Sequence, residues 1–222
     1  MKKKVSALLK LIAAGSSLGG VGIVMFVYTS SFMGGLRSLM YFTILSNILL
    51  GVVELLALLS AGNESLQRKA GLWLYWSVVS ITLTFMVFVT MLAPFMSSAW
   101  SLPNVLTHLV APIAAIVDYL FFDEGFFPEK KHIPGTVIPP YLYLIFTIIA
   151  YNCKWEFSHG RYYPYNFVNY GGSAGVFGFS TDVSDSLFLG SFYWVVILTL
   201  FVLGIAKLFR HFHNTEKTRN SC

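Results

Sequence analysis

Six long apolar stretches, separated by shorter polar segments, dominate the pattern of hydrophobic and polar positions along this chain. They cover about residues 8–30, 38–62, 71–97, 103–122, 138–153 and 187–208. Most of them reach the roughly 20 apolar residues that an α-helix needs to span a hydrocarbon core about 30 Å thick. The pattern predicts an all-α fold in which residues 1–222 form a single domain, a bundle of six transmembrane helices.

The composition agrees with a membrane protein, because 56% of the 222 residues are hydrophobic and only 11% are charged. Soluble domains usually carry about 25% charged residues. Since the connections between the six stretches are short, little of the chain is left for a separate soluble domain.

The positive charges are distributed unevenly over the two sides that six spans define. Twelve of the 15 Lys and Arg residues fall on the side that holds both termini, and Arg37, Lys154 and Arg161 fall on the other. Positive residues accumulate on the cytoplasmic side of membrane proteins. We therefore predict a multi-pass protein of the cell membrane with cytoplasmic termini. The basic residues indicate contact with anionic lipid head groups rather than with nucleic acid.

The outer segment 154–186 is the longest connection and is rich in Tyr, Gly, Ser and Asn. It contains the run Arg-Tyr-Tyr-Pro-Tyr-Asn-Phe at 161–167. Loops of this length in compact proteins are usually functional or disordered, and the aromatic residues argue against disorder. Two interpretations stay open. The segment either lies at the lipid interface as an aromatic anchor, or dips back over the bundle as a lid.

The second stretch carries three polar residues on one side of an otherwise apolar helix. Thr43 and Asn47 are four residues apart and lie one turn apart on the same face, and Glu54 follows two turns later. Such a stripe must face protein or a water-filled cavity, because lipid cannot form its hydrogen bonds.

The fourth stretch repeats this arrangement with Asn104 and His108, again four residues apart. Pro103 suits the first turn of a helix, where its missing N–H costs little. Pro112 cannot donate to the carbonyl of His108, so we expect a kink beside the histidine.

Thr43 and His108 are predicted to lie at the same depth in the outer leaflet. Each follows the outer end of its stretch by about five residues, which corresponds to roughly 7 Å of helix rise. If the two helices are neighbours, a hydroxyl group and an imidazole come within hydrogen-bonding distance, as nucleophile and base do in acyl transfer. Arg37, just outside the second stretch, is a candidate ligand for a substrate carboxylate or a lipid phosphate.

Each of these residues also has a structural interpretation. Threonine in a membrane helix most often bonds its own backbone or a neighbouring helix. Glu54 and Asp118 lie deeper, where they either pair with basic residues, stay protonated, or line a proton or ion path. A transporter that uses Glu54, Asp118 and His108 therefore stands beside the enzyme as an alternative, as does a non-catalytic scaffold that binds lipid.

Three motifs carry a resemblance to a known family. They are Tyr-Phe-Thr-Ile-Leu-Ser-Asn at 41–47, the pattern Asn104/His108/Pro112/Asp118, and Tyr-Pro-Tyr-Asn-Phe at 163–167. In this order they resemble the bacterial branch of the androgen-induced-gene-one-like family of six-pass membrane proteins. Animal members of that family are threonine-dependent hydrolases of fatty acid esters of hydroxy fatty acids. The resemblance implies that Thr43 and His108 form the catalytic pair. The chain departs from the family pattern at 168–169, where Val-Asn replaces a frequent acidic residue.

The sequence thus predicts an intramembrane hydrolase of a lipid ester, with Thr43 as nucleophile and His108 as general base. Asn47 and Asn104 either orient this pair or donate to the oxyanion. Asp118 is too far along the helix to complete a triad. The supporting polar residues of the membrane interior are predicted to be Ser46, Glu54 and Asp118.

The expected partners are membrane lipids and an acyl substrate. We expect neither a metal nor an organic cofactor. His132, His211 and His213 lie in predicted cytoplasmic segments without a matching set of ligands, and we expect them to be solvated.

Overall fold

The computed structural model describes residues 1–30, 34–158, 160–181 and 187–220, and for residues 216–220 it describes the backbone alone. Six helices in these ranges are long and apolar enough to cross a membrane. They cover Lys2–Phe26, Phe42–Leu59, Glu64–Phe95, Leu102–Phe121, Lys130–Asn152 and Ser191–Thr215, and are numbered here as the first to the sixth span. The predicted all-α fold with six spans is confirmed, and the protein is a multi-pass membrane protein.

The α-helical parts of the spans begin at residues that suit helix starts. The third span begins after Asn63, whose side chain accepts a hydrogen bond from the N–H of Leu66 at 3.1 Å. The fourth begins with Pro103 in its first turn. The α-helices run over Lys2–Phe26, Phe42–Leu59, Glu64–Val87, Leu102–Val105, Ala111–Phe121, Ile138–Asn152 and Ser191–Asn220.

The third and fourth spans each widen into a π turn that ends two residues before a proline. The first π turn, Phe88–Leu92, precedes Pro94, and the second, Leu106–Val110, precedes Pro112. Because proline lacks the N–H that would bond the carbonyl four residues earlier, the backbone changes to a wider hydrogen-bonding pattern at these places. The irregularity expected beside His108 therefore takes the form of a π turn.

The first span packs closely on its neighbours because glycines lie where the helices meet. A Cβ atom on Gly20 would lie 2.6 Å from Cγ2 of Thr107, and one on Gly51 would lie 2.5 Å from Cγ of Leu18. Close approach at small residues is typical of membrane bundles, where van der Waals packing holds helices together. The contact at Gly20 fixes the first span against the residue that precedes His108.

The outer segment folds back onto one end of the bundle, which we call the loop end; the opposite end is the termini end. Phe157 is fully buried, and its carbonyl oxygen accepts a hydrogen bond from the Tyr41 hydroxyl at 2.8 Å. Phe167 is also buried, and Tyr165 stacks on it with ring centroids 5.1 Å apart. The described part of the segment thus dips over the bundle, as one of the two interpretations expected.

The termini end contains a buried histidine that joins the sixth span to the fourth. His213 is 2% exposed, with Nδ1 2.6 Å from the carbonyl oxygen of Tyr119 and Nε2 2.9 Å from that of Phe126. The prediction that His213 is solvated is wrong, because its ring fills the space between these carbonyls and stacks on Tyr119. His211 is exposed, and His132 is half-buried with Nδ1 accepting from the N–H of Glu129.

A candidate active site at the loop end

A cavity of about 870 Å³ lies at the loop end of the bundle. Its walls come from the second, third and fourth spans, from the run 161–167, from the end of the first span at Val24, and from Tyr28 just beyond that span. The volume lies within the roughly 300–1,000 Å³ that is usual for small-molecule sites. Both π turns contribute to the wall, with Phe88 from one and His108 from the other.

Thr43 and His108, the two residues of the predicted catalytic pair, both line this cavity. They are buried, with 6% and 4% of their surface exposed. Thr43 lies in the first turn of the second span, and His108 lies in the π turn of the fourth. Low exposure suits a site that excludes bulk water from the reacting groups.

Asn47 holds the two residues at the same level of the bundle. Its Nδ2 donates to the carbonyl oxygen of Thr43 at 2.8 Å and to that of Thr107 at 3.2 Å. One amide thus joins the backbone at Thr43 to the backbone next to His108. Because both N–H groups of a carboxamide are used in this way, Asn47 has none left for an oxyanion. Of its two predicted roles, the geometry favours orientation of the pair.

Ser46 and Asn104 hold the backbone on the two sides of the site. Ser46 Oγ donates to the carbonyl of Thr43 at 3.1 Å and lies 2.8 Å from Oγ1 of Thr84, which connects the second span to the third. Asn104 lines the cavity, and its Nδ2 donates to the carbonyl of Ala99 at 2.9 Å. One N–H of Asn104 is therefore engaged in the loop before its helix.

Tyr165 reaches the nucleophile position from the outer segment. It lines the cavity beside Thr43, and its hydroxyl lies close to the side chain of Thr43 and to the backbone N–H groups of Phe42 and Thr43. These N–H groups belong to the first turn of a helix and have no partner within it. Burial raises the pKa of Tyr165, so its hydroxyl stays protonated and able to donate over the physiological pH range.

The imidazole of His108 is held by stacking. Its ring lies on the ring of Phe88, with centroids 3.8 Å apart and an angle of 10° between the planes. Nδ1 has no hydrogen-bond partner among the residues that the structure describes. Because Nδ1 is buried, His108 can exchange a proton with a substrate only through its other ring nitrogen, Nε2.

The two arginines near the loop end occupy different positions. Arg37 is exposed in the short 3₁₀ helix Gly35–Met40 and is not among the described residues that line the cavity. Arg161 lines the cavity while keeping an exposed side chain. The basic group at the mouth of the site is therefore Arg161, whereas the sequence pattern pointed to Arg37.

A smaller apolar cavity of about 90 Å³ adjoins the first, and we call it the side cavity. Thr43 and Tyr165 line both cavities, so they stand at the boundary between them. The remaining walls are mostly aliphatic and aromatic side chains of the third, fifth and sixth spans, including Leu83, Leu144 and Val202. Such a space suits a hydrocarbon group.

The two carboxylates predicted to support the site lie elsewhere. Asp118 forms an ion pair with Lys10, and Glu54 lies 4.0 Å from the same ammonium group. Neither carboxylate is among the described residues that line the cavity. They belong to a separate cluster toward the termini end. The ion pair of Asp118 with Lys10 is the structural role that the sequence analysis gave as one of the alternatives for Asp118.

The described residues contain no group of three or more His, Cys, Asp or Glu side chains arranged to hold a metal ion.

Comparisons of the chain with protein-family models, with curated proteins and with solved structures gave no match in any of the three.

Sequence reasoning missed Tyr165 and Arg161 as residues of the site. Both belong to the run 161–167, whose aromatic character stood out in the sequence. A loop carries no helical periodicity that would place it against a particular span, so only the fold shows that this run meets Thr43.

Proposed function

We propose that this protein is an intramembrane hydrolase of a lipid ester, with Thr43 as nucleophile and His108 as general base. The observation that carries the proposal is that both residues are buried and line one cavity, and that Asn47 bonds the backbone at Thr43 and next to His108. The protein would act in the cell membrane with cytoplasmic termini, as the distribution of basic residues predicts.

The reaction proceeds through an acyl-threonine. Oγ1 of Thr43 attacks the carbonyl carbon of the ester while its proton passes to the imidazole of His108. The bond to the alcohol oxygen breaks, and His108 returns the proton to that oxygen. Water then attacks the acyl-threonine and gives a proton to His108, and the fatty acid leaves as Thr43 regains its proton.

Tyr165 is the oxyanion donor in this proposal. Its hydroxyl lies close to the side chain of Thr43 and to the first N–H groups of the second span. A carbonyl oxygen bound beside Thr43 receives a hydrogen bond from Tyr165, and this bond strengthens as negative charge develops on the oxygen. The Thr43 hydroxyl turns from Tyr165 to His108 when the substrate binds. Asn47 acts as a positioning residue, since its amide does not reach the cavity.

The substrate proposed is an ester with at least one long acyl chain. The apolar side cavity beside Thr43 supports this choice, because a hydrocarbon group bound there loses contact with water and places its carbonyl at the boundary residues. The resemblance of the motifs at 41–47, 104–118 and 163–167 to the androgen-induced-gene-one-like family points to the same chemistry. Esters of hydroxy fatty acids are the first substrates to test.

The direct test is hydrolysis of a fluorogenic long-chain ester by the purified protein in detergent. We expect Thr43→Ala and His108→Ala each to lower kcat by at least about 10³-fold, because each removes a group that takes part in every turnover. The matched control is Thr90→Ala. Thr90 also lies in a π turn but is exposed, and its hydroxyl bonds the carbonyl of Met86 in its own helix at 2.7 Å.

Turnover that persists in folded Thr43→Ala would contradict the proposal. Absence of turnover in the wild type across acyl-chain lengths would favour the transporter or the scaffold. In that case, proton-coupled flux in liposomes, measured for the wild type and Glu54→Gln, separates these two alternatives.

A further inference from the structure

A buried ammonium group lies among three carboxyl groups where the first, second and fourth spans meet. Lys10 is 5% exposed, and its Nζ forms an ion pair with Asp118 and lies 2.9 Å from Oδ1 of Asp123. The third carboxyl group, that of Glu54, has Oε2 4.0 Å from the same nitrogen, which is beyond hydrogen-bonding distance. Lys10 thus bonds two carboxylates directly and faces the third.

Glu54 is the member of this cluster that no donor satisfies. It has no exposed surface, and neither of its carboxyl oxygens has a hydrogen-bond partner among the described residues. A buried carboxylate without donors is one of the most costly groups that a protein interior can hold. A neutral carboxylic acid at the same place costs far less.

The charges of the cluster do not balance when all its groups are ionised. Three carboxylates against one ammonium give a net charge of −2, and the charged groups that act on Glu54 are Lys10, Asp118 and Asp123 themselves. Tyr119, packed beside the cluster, brings no positive charge. An unbalanced charge of this kind inside a membrane bundle is expensive and is usually neutralised.

We propose that Glu54 binds a proton and, with Lys10, Asp118 and Asp123, forms a proton-binding site of this protein. Lys10 donates to one oxygen of each aspartate, and the proton on Glu54, which receives no bond at all, reduces the net charge of the cluster to −1. The inference is independent of ester hydrolysis, since the cluster lies outside the cavity that Thr43 and His108 line.

Infrared spectroscopy of the purified protein tests this site, because a protonated carboxylic acid has a carbonyl stretch that is separate from the carboxylate bands. We expect this band in the wild type at neutral pH, with a shift when H₂O is replaced by D₂O. The band should be absent from Glu54→Gln, because glutamine has nearly the same shape as a neutral glutamic acid but carries no carboxyl group. The control is Glu129→Gln, since the Glu129 side chain is 64% exposed and pairs with Lys131 at the surface.

A second measurement identifies the protonated residue without any substitution. Labelling all glutamates of the wild-type chain with ¹³C should shift the band, whereas labelling all aspartates should leave it unchanged. Absence of the band in the wild type, its persistence in Glu54→Gln, or a shift with labelled aspartate would each overturn the proposal. A band that appears only when Na⁺ and K⁺ are removed would overturn it in favour of a cation site.

Discussion

The loop end and the termini end of this bundle both bury polar side chains, but they satisfy them differently. At the loop end, Thr43, His108 and Tyr165 line a cavity of about 870 Å³. Toward the termini end, Asp118 and Asp123 surround Lys10 at ion-pairing distance. Groups that line a cavity are available for a substrate, whereas groups that pair with one another hold helices together.

The second span contributes to both regions from one polar stripe. Thr43 lies at the cavity, and Glu54, eleven residues or about 16 Å of helix rise further on, lies beside Lys10. Asn47 is between them and bonds the backbone of two spans. Shared helical periodicity therefore shows that these residues face the protein interior, but their functions are set by what each meets there.

The largest effect on stability is expected at the ion cluster. Lys10→Met should lower the free energy of unfolding by about 3–5 kcal/mol, because it leaves buried carboxylates without their counter-ion. Thermal unfolding in detergent measures the loss. Lys3→Met is the control on the same helix, since Lys3 is exposed, and its unfolding midpoint should match the wild type. Equal midpoints for both variants would show that the cluster does not stabilise the bundle.

At the cavity, the corresponding change should affect turnover rather than stability. Tyr165→Phe removes the proposed oxyanion donor and keeps the ring that stacks on Phe167. We expect kcat to fall by about 10²–10³-fold with KM little changed. Tyr163→Phe, in the same motif, should keep wild-type kinetics. A Tyr165→Phe enzyme with full turnover would exclude this residue from the reaction.

Asn47→Ala should affect both properties, because this side chain links the cavity to the packing of the spans. Loss of its bond to Thr107 leaves a buried carbonyl unsatisfied, and we expect a decrease in stability of about 1–3 kcal/mol. Asn152→Ala is a matched control, since Asn152 makes the same bond to the carbonyl four residues earlier, at 2.8 Å, but is exposed. If the two variants unfold alike, the bridge between the spans contributes nothing.

The smallest effect is expected from Pro112→Ala. Alanine supplies an N–H for the carbonyl of His108, which favours a regular α-helix over the π turn and rotates His108 relative to Thr43. Turnover should fall about tenfold, while the infrared band of Glu54 stays unchanged. Pro139→Ala, in the first turn of its helix, should leave both readouts at wild-type values. A loss of the band in Pro112→Ala would mean that the two regions are coupled.

Much of this architecture could be predicted from the sequence. The lengths of the apolar stretches predicted six spans, because the thickness of the hydrocarbon core fixes how many residues a helix needs to cross it. The rise per residue of a helix predicted that Thr43 and His108 lie at the same depth. In the structure both residues line one cavity. Pro112 indicated an irregularity at the histidine, and the fourth span is a π turn there.

The parts that could not be predicted depend on contacts between distant segments. Lys10 meets Asp118 across 108 positions of the chain, and no local pattern links them. Tyr165 reaches Thr43 from a loop, where neither helical nor strand periodicity assigns a side chain to a face. The burial of His213 depends on one carbonyl of the fourth span, that of Tyr119, and on one of the connection that follows it, that of Phe126.

Covalent labelling by a fluorophosphonate probe shows directly whether Thr43 is the nucleophile. The purified protein is treated with the probe, and the modified residue is located by mass spectrometry of its peptides. We expect an adduct on Thr43 that is absent from His108→Ala, because only an activated hydroxyl attacks the phosphorus. An adduct on another residue, such as Ser46, or ester hydrolysis that continues without any adduct, would contradict this expectation.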